Sequence, residues 1–563
     1  MSNKQNSGLA FLVGRGRNKP GAVVEDDAQI AKLVGSLRKA GRVKTRGDLP
    51  MYRKVMTATY DVTGNDLSEV AALDMGDREA MLLVSEGALG QPLHKNLRRR
   101  LGEAGYTLTQ ERLADVALIA DINKAINREG ADNKASDVKL IVEELIRDAI
   151  TQQATDIHLC CREKSAMVLF RVHSRLYPYN GYDVDTCDQM AGYLFTHMAD
   201  PSSRSTGTFS EALKSMSCMI RHTVNGSQYK LRYKFIRLAD GWDVVIRILA
   251  VEIAGSASKT FAELGFEATQ IKQLELSVAR SIGFITFTGP TGGGKSTSLK
   301  ASMEFDPNRR FRKRYSLEDP VEYKIFLVSQ ISIQRSDHEE EEDSAKALIG
   351  ALRDILRGDP DEIMVGETRD RATASIVADF VLTGHKLYTS LHTSSAFGAV
   401  LRLARLGLDR HILADRQFIS ALVFQRLLPV LCEHCKVPSR NVLGEEKLRL
   451  LEHKFGLNPD HIYCSTETDC PHCRGRGITG STVVAEIVSS DKVIRQHIAE
   501  GRDEQAELYW RQTRRSAYDD VDMTGKTAYE HALYKISQGR IDPRDLEREF
   551  EPLDGYELVE MLQ

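Results

Sequence analysis

Gly289-Pro290-Thr291-Gly292-Gly293-Gly294-Lys295-Ser296 decides how the rest of this chain is read. The apolar run Ile282–Thr288 before it has the character of a buried strand, and Thr297–Met303 after it that of a helix start. Strand, glycine-rich loop and helix in that order are the context of a phosphate-binding P-loop. Glycines let the backbone turn its N–H groups inward around a phosphate. The helix start adds a partial positive charge. In that frame Lys295 reaches the β- and γ-phosphates, the Ser296 hydroxyl holds Mg²⁺, and Gly289 through Thr297 cradle the nucleotide. The ligand implied is a nucleoside triphosphate, ATP by default.

Downstream stands Tyr315-Ser316-Leu317-Glu318-Asp319-Pro320-Val321-Glu322-Tyr323. Pro320 disfavours helical geometry at Asp319, so a strand should end there and leave its carboxylates at a sheet edge, where open α/β sheets bind ligands. Residues 352–370, LRDILRGDPDEIMVGETRD, place a short apolar strand, Ile363-Met364-Val365, before Gly366-Glu367. This has the form of a Walker B strand with glycine in the usual aspartate position, so Glu367 is the carboxylate available to Mg²⁺ or to the attacking water. Either Glu318 or Glu367 can serve as general base. Residues 383–393, TGHKLYTSLHT, carry His385 and His392 around another strand, candidates for sensing the γ-phosphate.

Cys432-Glu433-His434-Cys435 and Cys470-Pro471-His472-Cys473 are two knuckles separated by 34 residues. Four thiolates so arranged suit a tetrahedral structural Zn²⁺. The gap is longer than the commonest spacing and must fold as its own insert. Cys464 is expected to be a spectator, and His434 and His472 are weaker ligand candidates.

The chain has 563 residues, a net charge of −3 and nine cysteines. That length allows several domains, the charge selects no polyanionic partner, and the cysteines are too few for a disulfide scaffold. No apolar run approaches the roughly 20 residues needed to span a bilayer, and the first residues lack a secretory core, so a cytoplasmic protein is expected. Residues 1–25 are expected to be a flexible tail and 26–135 a helical domain, on the apolar spacing of Leu82-Leu83-Val84 and Leu113–Ile122. Arg98-Arg99-Arg100 is expected on a solvated helix face, and Glu129–Ala135 as a linker. Ser136 should cap a helix, followed by strands at Asp156–Cys160, Met167–Val172, Tyr229–Ile236 and Trp242–Leu249: a small α+β domain over 136–255. Strand–helix alternation over 256–430 predicts a parallel α/β core, followed by a cysteine subdomain over 431–490 and helices over 491–563. The acidic run Glu339–Asp343 is expected to be an exposed loop. The basic run Arg309-Arg310-Phe311-Arg312-Lys313-Arg314 raises a nucleic-acid translocase as a competing reading, but a solvated or intersubunit face is preferred.

The P-loop, the aspartate box at 316–323, the Walker B strand, the histidine box and the tetracysteine, in this order, resemble the secretion ATPases of type II secretion and type IV pilus assembly over roughly residues 137–540. Gln425-Arg426-Leu427 and Gly477…Gly480…Glu486 fit the same resemblance. It implies a PAS-like N2 domain before a RecA-like motor, working as a homohexamer peripheral to the inner membrane with a platform protein and pilus assembly proteins, and no nucleic acid. Thr155-Asp156-Ile157-His158 is similar to the family's SDIH signature, and Arg171, Arg232 and Arg247 match arginines that reach the nucleotide. His173-Ser174, Leu169 and Ser481 depart from the family pattern, pointing to a divergent type IVb branch. A type II secretion or DNA-uptake pseudopilus motor, or a nucleotide-binding scaffold without turnover, are the alternatives.

Overall fold

The computed structural model describes residues 34–123, 134–251, 259–333 and 341–561, less positions 39–41, 46–47, 51, 61, 63, 77 and 467. The expected tail over 1–25 lies outside these, as does the linker up to 133; Lys134 already begins the helix Lys134–Thr151. By internal contacts the chain falls into two units, Met1–Val138 with Cys160–Val168 and Pro178–Gln189, and Lys139–Leu159 with Leu169–Tyr177 and Met190–Gln563.

The N-terminal region is not the helical domain expected. It holds a five-stranded sheet, β1 (Arg42–Val43), β2 (Lys54–Val55), β3 (Val70–Gly76), β4 (Glu79–Val84) and β5 (Thr107–Ala114), in the order β1-β5-β4-β3-β2. Leu82-Leu83-Val84 is strand because both faces of the sheet are covered. Ala80, Leu82 and Val84 enter one apolar cluster, and Met81 and Leu83 another. A strand buried on both sides loses the polar alternation that would announce it. The helices Pro92–Glu103 and Val116–Asn123 accompany the sheet. Arg98-Arg99-Arg100 is not one solvated face: Arg98 pairs with Glu111, Arg100 Nη1 donates to the Tyr60 carbonyl at 2.6 Å, and Arg99 pairs with Glu103 along the helix.

A six-stranded sheet follows, in the order β8-β7-β6-β11-β10-β9. Its strands are β6 (Ala154–Arg162), β7 (Ala166–Val172), β8 (Arg175–Tyr182), β9 (Ser215–Val224), β10 (Ser227–Leu238) and β11 (Gly241–Ala250). Four of these are the strands read from the sequence, each somewhat longer. The other two were hidden by composition: β8 contains Pro178, Asn180 and Gly181, all turn formers, and β9 opens on Ser215-Met216-Ser217.

The third sheet has seven strands in the order β14-β13-β15-β16-β12-β17-β20. They are β12 (Gly283–Thr288), β13 (Arg314–Glu318), β14 (Ser329–Ser332), β15 (Glu362–Val365), β16 (Lys386–Leu391), β17 (Ile419–Leu431) and β20 (Ile478–Val488), while β18 (Val437–Pro438) and β19 (Tyr463–Cys464) pair apart from it. All neighbours from β14 to β17 are parallel, and β20 is antiparallel to β17. The carboxyl ends of β12, β13, β15 and β16 therefore line one edge, with the α/β layering the sequence implied.

Two charge runs depart from expectation. From Glu341 the acidic run is the start of the helix Glu341–Leu356, as suits acids near the positive end of a helix dipole; its first residues lie outside the described ones. The basic run is split. Arg314 (1% exposed) and Arg312 turn inward onto Glu362, Arg312 also meets Asp306 at 3.1 Å, and Lys386 Nζ lies 3.3 Å from Glu362. With Arg312 and Arg314 withdrawn into this buried cluster, 309–314 presents no continuous basic face for nucleic acid.

Candidate nucleotide site and metal centre

β12 is buried along its whole length and delivers the chain to Gly289 at the carboxyl edge. Gly289 has φ +142, and a Cβ there would stand 2.2 Å from the Gln425 carbonyl oxygen, so only glycine lets the loop lie against β17. Gln425 Nε2 in turn donates to the Gly293 carbonyl at 2.6 Å. Gly294 takes φ +81 as N-cap of the helix Lys295–Phe305. Lys295 is buried, and its Nζ donates to the carbonyls of Gly289 and Pro290 at 2.9 and 2.8 Å. Burial pulls its ammonium down to about 8, against the opposing pull of Glu367 and Glu322. Ser296 is exposed at the mouth of the loop.

Glu318 ends β13. Its Oε1 accepts from Ser316 Oγ at 2.6 Å and Gln330 Nε2 at 3.1 Å. Burial pushes this carboxyl up despite those two bonds. Glu367 follows β15 and Gly366. It meets Arg369 at 2.8 Å and His392 Nε2 at 3.6 Å. Burial would raise the Glu367 carboxyl, but the hydrogen bond and charge of Arg369, with His392 and Lys295, hold it below its ordinary value. A Cβ at Gly366 would lie 3.4 Å from Glu318 Cα and 3.6 Å from its Cγ, so any side chain there would start in contact with Glu318. His392 follows β16, and burial and the Lys295 charge lower its imidazole. Thr393 beside it meets the Thr288 hydroxyl and donates from Oγ1 to the Ser395 carbonyl at 2.8 Å.

Lys295, Glu318, Glu367 and His392 thus gather at one edge. His385 does not join them. It precedes β16, whose Lys386 pairs with Gly283 at the start of β12, and its carbonyl accepts from Gly283 N at 3.3 Å. The six residues of β16 put roughly 20 Å between the two histidines. His385 instead closes the preceding helix, with Nδ1 3.0 Å from Thr383 Oγ1 and 3.1 Å from the Phe380 carbonyl.

Asp156 on β6 gathers two of the three arginines. Arg247 Nε on β11 lies 3.0 Å from it, and Arg171 Nε on β7 lies 3.9 Å away. Arg232 on β10 stands directly opposite Arg247 in the antiparallel ladder. This sheet meets the aspartate box: Lys230 Nζ donates to the Val321 carbonyl at 3.3 Å, and the charge of Arg247 acts on Tyr323, whose hydroxyl is hydrogen-bonded to Thr297. Gln425, Arg369 and Tyr323 are contributors that motif reading did not single out for a role. Only a recurrent glutamine beside Arg426-Leu427 hinted at the first.

The four knuckle cysteines converge. Their Sγ atoms lie within 4.8 Å of one another, with Cys432–Cys470 at 3.9 Å and Cys435–Cys473 at 3.6 Å. Zn–S bonds of about 2.3 Å in a tetrahedron set S···S edges of roughly 3.8 Å, so the group fits the ion. Gly477 N donates to Cys473 Sγ at 3.2 Å, the kind of support a thiolate accepts. His434 and His472 stack on each other, ring centroids 3.6 Å apart, outside the sulfur cluster. Cys464 is buried in an apolar cluster with Leu428 and Leu533. No helix among the described residues is long and apolar enough to cross a membrane.

The model of the family described as type II/IV secretion system protein matches residues 131–541. Sequence relatives include the type II secretion system protein E of Pseudomonas aeruginosa, 30% identical over 432 residues, 76% of this chain and 81% of that one. Another is the type IV pilus assembly ATPase PilB of Thermus thermophilus, 28% identical over 456 residues, 78% of this chain and 46% of that one. Among solved structures, the pilus retraction motor PilT with bound ADP aligns at a TM-score of 0.45 and 21% identity, over 73% of this chain and 98% of that one.

Proposed function

We propose, for a chain that belongs to the type II/IV secretion system protein family and is an ATPase, that its hydrolysis of ATP drives assembly of a type IV pilus of the type IVb kind. The observation that carries the reading is the gathering of Lys295, Glu318, Glu367 and His392 at the carboxyl edge of one parallel sheet, around the 289–296 loop. In this reading the sheet from β12 to β20 is a RecA-like motor and the sheet from β6 to β11 a PAS-like N2 domain. The protein works as a homohexamer on the cytoplasmic face of the inner membrane, against an integral platform protein.

Lys295 leaves its two loop carbonyls for the β- and γ-phosphates, and the phosphate charge restores its full protonation. Ser296 and Glu367 would hold Mg²⁺, which supplies charge neutralisation on the phosphate oxygens when bound. Glu367, held ionised by Arg369 and His392, suits that task. Glu318, its carboxyl raised by burial, is the better general base, because a base works best with a pKa near the working pH. His392 reports the state of the γ-phosphate to Glu367. Arg232 and Arg247 stand directly opposite each other, with Asp156 the counter-charge of Arg247; like charges directly opposite in a ladder are unfavourable, and a phosphate group relieves them. Cys432, Cys435, Cys470 and Cys473 hold a structural Zn²⁺.

A type II secretion motor is the second reading, favoured by the 30% identity to the Pseudomonas protein over most of both chains. A strain lacking this chain, complemented with wild type or Lys295→Ala, decides between them. Loss of surface pili with normal protein secretion supports the pilus reading; the reverse pattern rejects it. Purified wild type that releases no phosphate from ATP would reject the motor altogether.

A further inference from the structure

Glu486 lies on β20 opposite Phe424 and is 6% exposed. Among the described residues it has no cationic partner. Its two oxygens go to two helix starts instead: one accepts from Ala396 N at 2.7 Å, the other from Ala528 N at 3.1 Å. Ala396 opens the helix Ala396–Arg405 and Ala528 the helix Ala528–Ser537. Each helix also has its own N-cap: Ser395 accepts from Gly398 N, and Thr527 from Glu530 N. The carboxylate therefore answers, at each end, an orphan amide that the cap does not reach, and its charge complements both dipoles. Burial, with Glu507 and Glu530 acting the same way, pushes its carboxyl up to about 7 against those two N–H bonds.

The first of these helices begins three residues after Thr393, whose hydroxyl is set against Thr288 immediately before the P-loop, and four after His392. We propose that Glu486 is a positioning residue for the ATPase centre: by holding the start of Ala396–Arg405 it fixes the His392–Thr393 loop between Glu367 and the P-loop. The inference rests on the nucleotide-site reading above. It gives β20, the end strand beside β17, a task in the site. β17 carries Gln425 to the P-loop, β20 carries Glu486 to the histidine loop, and the two strands are paired over their length.

Glu486→Gln tests it. The amide keeps the volume but turns an N–H₂ toward one of the two backbone donors, so one helix start loses its acceptor. Turnover per folded molecule should fall roughly tenfold or more, as small misplacements of catalytic groups do, with the KM for ATP changed much less. Amide hydrogen exchange across 392–398 should quicken. Thr527→Ala, which removes the cap of the second helix and its bond to the Tyr556 hydroxyl, is the stability control: its melting temperature should fall while kcat stays within twofold of wild type. If the glutamine variant does not fold, Glu486→Asp, which keeps the charge but cannot span both helix starts, takes its place with the same expectations. A Glu486 variant that melts lower but turns over within twofold of wild type, or leaves exchange at 392–398 unchanged, overturns the proposal. A Lys295→Ala protein that still hydrolyses ATP would instead reject the nucleotide-site reading. Inactive Lys295→Ala beside fully active Glu486→Gln rejects only this inference.

Discussion

Replacing Lys295 by methionine separates the stability of this lysine from its use. Burial takes its ammonium from 10.5 down to about 8. At about 1.4 kcal/mol per unit, that is roughly 3 kcal/mol against the charged form in the nucleotide-free protein. The two bonds to Gly289 and Pro290 return about 1 kcal/mol each. Methionine fills the same channel without a charge, so the variant should be more stable by on the order of 1 kcal/mol, a rise of about 2–4 °C in Tm for a large domain. Its turnover should fall about a hundredfold or more, since the charge is needed as the transition state forms. The pH dependence has a definite sign. A base whose pKa is lowered by folding holds fewer protons folded than unfolded between about 8 and 10.5. Wild-type stability therefore gains with pH across that window. The advantage of the variant should be full below pH 8, vanish about one unit above that, and reverse toward pH 10.5, where wild type has regained roughly 3 kcal/mol. Calorimetry of both proteins without nucleotide, with phosphate release measured alongside, checks this. A variant that melts lower than wild type at pH 7, or keeps turnover within twofold, refutes the reasoning.

Metal analysis of protein purified without chelators should find about one zinc per chain, lost on Cys432→Ser or Cys473→Ser and unaffected by Cys464→Ser; a value near zero for wild type rejects the centre. Arg247→Ala and Arg232→Ala should each lower turnover per folded molecule by about 10³-fold, as loss of a phosphate-facing arginine does, whereas a lower melting temperature with unchanged specific activity would assign them to structure. Glu267, half-buried against the buried His531 and Lys535, is held down to about 2 by its bonds to those two groups, which overcome burial. Such an acid stabilises the fold above its unfolded value and ceases to as pH falls toward 2. Glu267→Gln should therefore melt well below wild type at pH 7, by about 3 kcal/mol for a broken buried pair, and nearly level with it at pH 2; an equal difference at both pH values would contradict the ion pair.

The seven-stranded α/β sheet is legible because its strands end on residues with distinct chemistry, so each motif announces one sheet edge. The four-cysteine cluster is legible because a knuckle is local. What failed was inference from neighbourhood along the chain. His385 and His392 share a motif, yet a strand carries them to opposite edges. The run 309–314 is basic in sequence, but the strand begins at Arg314 and draws Arg314 and Arg312 inward to Glu362, a partner nearly fifty residues away. Leu82-Leu83-Val84 suggests helical spacing, but Ala80 through Val84 form one unbroken buried apolar run in a strand, and only the two clusters on its faces explain why. Glu486 could be named from its motif, but its two backbone partners lie 90 and 42 residues away along the chain.

The buried cluster of Asp306, Arg312, Arg314, Glu362 and Lys386 has a consequence for how this sequence can change over generations. Removing Glu362, onto which three cations turn, leaves charge stranded in the interior, typically a loss of about 3–5 kcal/mol, a large part of the stability a domain possesses. Exchanging the whole set for well-packed apolar side chains can be neutral or better. Glu362 can change only together with its cations, so these five positions, spread over some eighty residues, should drift as a coupled set.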